Sequence, residues 1–360
     1  MTTQQGIDHA KIQAFMGKVM VDSAGANAIV MASIGDRLGL FKALVQGPAT
    51  SAELAERAHI NERYAREWLN EMTCAGYLEH DPASQRFTLP SEHVPVLAQE
   101  GGPFFLGGAF QMLIAQIGTF NQLLPAFQQG GGVPMEAYDP SIWDGMERLS
   151  SSVYEHLLVQ MYLPAMPAVQ AKLEHGADVA DIGCGHGKAL IKLAQTYPRS
   201  RYVGYDGFAP SIARATANAQ AAGVADCVRF EHRDASQGLP EQYDVITTFD
   251  VVHDAVNPRG LLQAIREGLR PDGRYVCTEF NGSDKLEENA GPIGSLFYGS
   301  SVMYCMTTSL AGHGEGLGTL GLPETKMREL AVEAGFGTVR LIPTEVPFKA
   351  LYEMTPLPIL

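Results

Sequence analysis

A glycine loop, three acids and one histidine carry the chemistry this chain could perform. In Val179-Ala-Asp-Ile-Gly-Cys-Gly-His-Gly187 an apolar run meets Asp181, and glycines follow at Gly183, Gly185 and Gly187. Glycines at alternate positions let backbone come closer to a ligand than a β-carbon would allow. Asp206 ends the strand-like Arg201-Tyr-Val-Gly-Tyr-Asp206. There a carboxylate can accept hydrogen bonds from both hydroxyls of a ribose. Val228-Arg-Phe-Glu-His-Arg-Asp234-Ala235 puts another acid just past a strand, where it can accept the amino group of an adenine. The run Tyr243-Asp-Val-Ile-Thr-Thr-Phe249 opens into Asp250-Val-Val-His253-Asp254. A histidine titrates near neutral pH, which suits it to take a proton from a hydroxyl nucleophile.

Positioning these residues requires a sheet whose strands all end at one edge. From about residue 177 the texture alternates, with strands expected at 177–182, 201–206, 227–231, 243–249, 273–280, 337–342 and 347–353. Helical patterns at 187–197, 209–222, 258–269 and 323–335 lie among them. Such alternation predicts an α/β fold, an open and mainly parallel sheet with helices on both faces. The last two strands, joined only by Pro343-Thr-Glu-Val-Pro347, should pair antiparallel at one edge. Residues 281–322 break the rhythm and read as a glycine-rich insertion at the end of a strand, where a binding site would be covered.

Two further regions precede the sheet. Residues 8–100 read as helix, short helix, longer helix and two strands around the polar turn Asp81-Pro-Ala-Ser-Gln85, a winged helix. Thr50 or Ser51 can cap the short helix, with Glu53 in its first turn. Residues 101–175 read as a helical linker and lid, with a long run Ser141–Leu173 interrupted by Pro164 and Pro167. The catalytic domain is then expected over 176–360, with its insertion at 281–322.

Bulk properties exclude several function classes. The formal charge of −14 argues against a polyanionic partner. Within Ser51–Gly76 five glutamates face three arginines, so the helix that would read a DNA groove is acidic. Five scattered cysteines without CxxC spacing suggest reduced thiols in a cytoplasmic protein, and no cluster has metal-ligand spacing. The apolar stretch 103–118, interrupted by Gln111 and Gln116, is too short and polar to span a bilayer. Met16, Met20, Ile29, Val30, Met31, Ile34 and Leu40 offer an apolar surface through which the N-terminal helices could join two protomers.

A nicotinamide site wants G-x-G-x-x-G, but the position of that third glycine is Lys188 here. A ligand without a pyrophosphate does not need that geometry. With Asp206, Asp234 and the Asp-Val-Ile strand in order behind the loop, residues 177 onward resemble the class I S-adenosylmethionine-dependent methyltransferases. The whole chain is similar to small-molecule methyltransferases with a winged-helix head. Tyr64-Ala-Arg-Glu-Trp68-Leu and Gly312-His-Gly-Glu-Gly-Leu-Gly318 mark a bacterial subgroup.

The resemblance implies a Rossmann-like seven-stranded sheet, S-adenosyl-L-methionine as cofactor and a small-molecule methyl acceptor. It places Gly183 and Gly185 along the cofactor's amino-acid half, with Asp181 fixing the loop. Asp206 and Gly207 fall at the ribose, Asp234 and Ala235 at the adenine, and Phe249 near the sulfonium. In plant phenolic O-methyltransferases a His-Asp pair at the position of His253-Asp254 supplies the general base, and an acid at the position of Glu279 assists it. The tryptophan that follows that pair in the plant enzymes is Ala255 here. His253 is therefore expected to be a general base, a substrate or cofactor contact, or a helix-starting residue. The corresponding functions are O-methyl transfer, or S-, N- or C-methyl transfer by proximity. A winged-helix regulator that only senses the cofactor is the reading from another class.

Overall fold

The computed structural model describes residues 7–357. The chain divides into two compact units, Met1–Ile114 and Ala115–Leu360, so residues 101–175 contribute to both.

The first unit opens with one continuous helix, His9–Arg37. The Asp8 carboxylate caps it, accepting from the Ala10 amide at 2.9 Å. Residues 9–27 of this helix are exposed on every side. Leu40–Val45, Ser51–Ala58 and Glu62–Cys74 follow, then the short strands β1 (Glu79–Asp81) and β2 (Arg86–Thr88), paired antiparallel. Thr50, not Ser51, caps the second of these helices. Its hydroxyl takes the Glu53 amide, and the Glu53 carboxylate returns to the Thr50 amide at 2.9 Å. The same carboxylate receives Arg86 of β2 at 2.6 and 2.7 Å, tying the helix to the wing.

Phe41, Leu54, Trp68, Leu69 and Met72 fill this unit's core. The Trp68 indole donates to the Met31 carbonyl at 2.8 Å, so its polar edge is satisfied inside. Leu40 belongs to this core, with Ile29 and Met31 half-buried against it. Leu40 is therefore withdrawn from the apolar surface that the sequence offers, and Ile29 and Met31 are partly withdrawn from it.

The second unit is built on seven strands: β3 (Asp178–Ile182), β4 (Arg201–Asp206), β5 (Val228–His232), β6 (Tyr243–Phe249), β7 (Leu269–Phe280), β8 (Phe336–Ile342) and β9 (Lys349–Pro356). They lie in the order β5-β4-β3-β6-β7-β9-β8. The first five pair in parallel, whereas β9 runs antiparallel to both β7 and β8. The last two strands do pair as the sequence suggests, but β9 inserts between β7 and β8, leaving β8 alone at the edge.

Successive strand residues feed opposite cores, as the pleat requires. Val179 packs with Leu173, Leu190 and Leu193, while Ala180 packs with Leu262, Ile265 and Leu330. Each fully buried leucine contributes about 1.5–3 kcal/mol relative to exposure. The insertion 281–322 is helical, with segments Leu286–Asn289, Pro292–Ser300, Ser301–Cys305 and Met306–Ala311. Two segments are wide-turned π-helix, Tyr154–Tyr162 and Ser301–Cys305. Such segments recur at functional sites.

Candidate active site

The glycine loop leaves β3 where the strand order reverses, between neighbours β4 and β6, the place where open α/β sheets bind ligands. Asp181 is buried in that sheet and pairs in register with Thr247 of β6, whose hydroxyl donates to it at 2.7 Å. Burial, offset in part by Thr247 and reinforced by Asp206, raises its carboxyl to about 7. The Gly185 amide donates to Asp206 Oδ2 at 2.9 Å, and the Phe208 amide to Oδ1 at 2.8 Å, so Gly207 lies in the turn between. Burial raises the Asp206 carboxyl as well, against those two backbone bonds.

Two of the glycines differ in kind. Gly185 has φ +51°, and a β-carbon there would meet nothing within 4 Å. A ligand can therefore be laid directly on this backbone, as a cofactor held by the loop requires. Gly187 has φ +77° and starts the helix Lys188–Thr196, but its β-carbon would fall 2.4 Å from the Phe230 ring. It performs the close-packing role that the spacing G-x-G-x-x-G assigns to its last glycine.

Asp234 stands just past β5 and is exposed. Its Oδ1 caps the turn Ala235–Gln237, taking the Ser236 amide at 3.0 Å and hydroxyl at 2.7 Å. Ala235 beside it is buried. Phe249 ends β6, with Tyr154 edge-on to it at 5.2 Å.

The acid and base candidates meet inside the sheet's carboxyl edge. Glu279, fully buried on β7, receives His253 Nδ1 at 2.6 Å on one oxygen. Its other oxygen takes the Val252 and Val251 amides at 2.7 and 3.3 Å. Nδ1–H donation to a carboxylate leaves the imidazole Nε2 as the free nitrogen. Burial works to lower the His253 pKa, but Glu279 and Cys305 together outweigh it and hold it well above the ordinary value. Asp254 follows with its carboxyl pushed up to about 7 by burial. Phe280 stands edge-on to His253 at 5.2 Å and against Phe297 at 4.8 Å.

The structure adds residues that sequence spacing does not reveal. Glu147, on the helix Ser141–Val153, receives His186 Nδ1 at 2.6 Å and Lys188 Nζ at 2.8 Å. Arg214 and Asn218 also reach it, each at 3.3 Å. Burial would raise this carboxyl, yet His186 and Lys188 hold it at about 2. One glutamate thus straps the helix Ser141–Val153 to the middle of the glycine loop. On the same helix Trp143 stacks on Phe208, 4.7 Å between ring centres, beside the Asp206 turn. Asp250 adopts φ +60°, a strained conformation for a non-glycine residue, and pairs with Lys349 of β9. The lone histidine between two glycines was the available hint for His186. Nothing local marks Glu147, 39 residues upstream of it.

Sequence comparison agrees with this geometry. Residues 180–275 match the family described as methyltransferase domain, and 26–99 match the Rv2258c-like winged HTH domain. A ubiquinone biosynthesis O-methyltransferase of Cereibacter sphaeroides (strain KD131 / KCTC 12085) is 30% identical over 110 residues, 31% of this chain and 44% of that protein. The match thus spans less than half the length of that relative. The 3-hydroxy-5-methyl-1-naphthoate 3-O-methyltransferase of Streptomyces sahachiroi is 26% identical, covering 71% of this chain and 73% of its own. Human N-acetylserotonin methyltransferase, solved in complex with SAM, superposes with a TM-score of 0.69 at 16% identity, covering 99% of each chain. No helix among the described residues is long and apolar enough to cross a membrane. The chain thus carries a methyltransferase domain within its seven-stranded sheet and a winged-helix domain ahead of it, on a fold shared with solved small-molecule methyltransferases.

Proposed function

We propose that the protein transfers a methyl group to a hydroxyl of a small aromatic molecule, with His253 as general base. The observation that carries this is the buried pair His253 Nδ1–Glu279 Oε2 at 2.6 Å. Glu279 is itself fixed by two backbone amides, so it can orient the imidazole and stabilise the imidazolium formed when Nε2 takes the acceptor's proton.

S-adenosyl-L-methionine, when bound, supplies a methyl group on a positively charged sulfur. Gly183 and Gly185 would hold its amino-acid end and Asp206 its ribose, with Asp234 and Ala235 at the adenine. Phe249 and Tyr154 would wall the pocket near the reacting centre and keep water out. Phe280 and Phe297 offer aromatic surface beside His253, which supports an aryl acceptor. The naphthoate and ubiquinone-pathway names of the relatives point the same way.

A second reading, transfer by proximity to sulfur, nitrogen or carbon, draws on the Cys305 thiol lying against the His253 imidazole. For the head unit we infer homodimerisation, since Phe15, Met16, Val19 and Met20 are exposed on the first helix. An isolated helix of this kind is marginal in water. Regulation through DNA binding is disfavoured by its charges. Arg63 and Arg66 pair with Glu67 and Glu62 on their own helix, and Arg57 and Arg86 are spent on backbone carbonyls and Glu53.

Titration with S-adenosylhomocysteine, followed by a screen of phenols, thiols and amines for its production from S-adenosyl-L-methionine, tests the reading. His253→Ala should keep binding and lose roughly 10²–10⁴-fold in turnover of a phenol. Full turnover in that variant would leave transfer by proximity.

A further inference from the structure

From the residues around the free face of the imidazole, we infer a binding site for a soft divalent cation, Zn²⁺ by its donor set, formed by His253, Asp254 and Cys305. One ligand atom from each lies within 4.8 Å of the others, with His253 and Cys305 buried and Asp254 half-buried. Sequence spacing hides the cluster because Cys305 belongs to the helical insertion.

Nitrogen, thiolate and carboxylate together favour Zn²⁺ over Mg²⁺ or Ca²⁺, which prefer oxygen alone. His253 is already arranged as a metal ligand. Its Nδ1 is held by a carboxylate at 2.6 Å, the outer-shell contact that fixes a zinc-binding imidazole and raises its basicity. Cys305 is also oriented, with the Thr319 hydroxyl donating to its sulfur at 3.2 Å. The two segments are locked together by the Gly318 amide on the His253 carbonyl at 3.0 Å and by the Ser309 hydroxyl on the Ala255 carbonyl at 2.9 Å. Three protein ligands leave one position open, and binding releases the thiol proton of Cys305 to solvent.

Occupancy takes the Nε2 lone pair, so the cation blocks proton transfer; this consequence rests on His253 being the base, whereas the site itself does not. Chelator-treated full-length protein titrated with Co²⁺ alone should develop a thiolate-to-cobalt charge-transfer band that saturates at a single equivalent and is displaced by Zn²⁺. Cys305→Ser should abolish the band and Cys74→Ser should keep it. Glu279→Gln should weaken affinity by roughly 10–100-fold. Binding of S-adenosylhomocysteine checks that each variant is folded. No band in the wild type, or a band that survives Cys305→Ser, overturns the site. A band lost in Cys305→Ser, with Zn²⁺ leaving phenol methylation untouched, upholds the site and removes the base role from His253.

Discussion

Nδ1 of His253 and Oε2 of Glu279 lie 2.6 Å apart, with both side chains buried and the glutamate's second oxygen held by two backbone amides. A carboxylate placed this way raises the imidazole pKa against the opposing effect of burial. The acidic limb of kcat/KM, where the base must be unprotonated, is therefore expected above the 6.5 of a free histidine. In Glu279→Gln only desolvation and weaker contacts remain, so the limb should move down in pH. Turnover should also fall, by less than the roughly 10²–10⁴-fold expected for loss of the histidine. A limb that stays in place would separate the glutamate from the chemistry.

Gly185 and Gly187 should fail differently when given a methyl group. Both have positive φ, which costs an L-residue roughly 1–2 kcal/mol. At Gly185 the added carbon meets no protein atom, so the main loss should be affinity for S-adenosylhomocysteine. At Gly187 it meets Phe230 at 2.4 Å, and overpacking adds about 1–3 kcal/mol of instability. Calorimetric titration and thermal melts of the two variants separate the effects. Equal melting temperatures would contradict the distinction.

Glu147, on the helix Ser141–Val153, pairs with His186, Lys188 and Arg214. Glu147→Ala should cost roughly 1.5–3 kcal/mol in charge-assisted hydrogen bonds. Amide exchange in residues 183–188 should accelerate, and cofactor affinity should fall while the saturated rate changes little. Unchanged exchange there would show that the strap does not restrain the loop. The carboxyl sits at about 2 in the folded chain against 4.5 for a free glutamate, so its contribution is present above pH 4.5. It is lost as pH falls toward 2, and an acid melt should show less of that loss in the variant.

Phe15 is 66% exposed and Met20 71% on the first helix, whose residues 9–27 are all exposed. Placing Asp at both positions should convert a dimer to a monomer by light scattering, without unfolding the winged-helix core built on Trp68. A monomeric wild type would refute the inferred use of this helix.

The glycine loop, the acids at strand ends and the helix–strand alternation were legible because each rests on local pattern: period, turn residues and order along the chain. The winged helix was legible for the same reason, as Thr50 and Glu53 cap a helix from adjacent positions. The extent of the single helix His9–Arg37 was not, since its residues 9–27 are exposed and bury no apolar stripe that would mark where it runs. The position of β9 between β7 and β8 was hidden too, because strand order depends on which edges meet in space.

The same division runs through the site. The sequence by itself determined the glycine loop, the acids Asp206 and Asp234 at strand ends and the place of His253 just past a strand. Only the tertiary structure decided that Glu147 straps the loop and that Cys305 stands beside His253. Those contacts join segments tens of residues apart, and their geometry follows from how helices settle on the sheet, which no local spacing encodes.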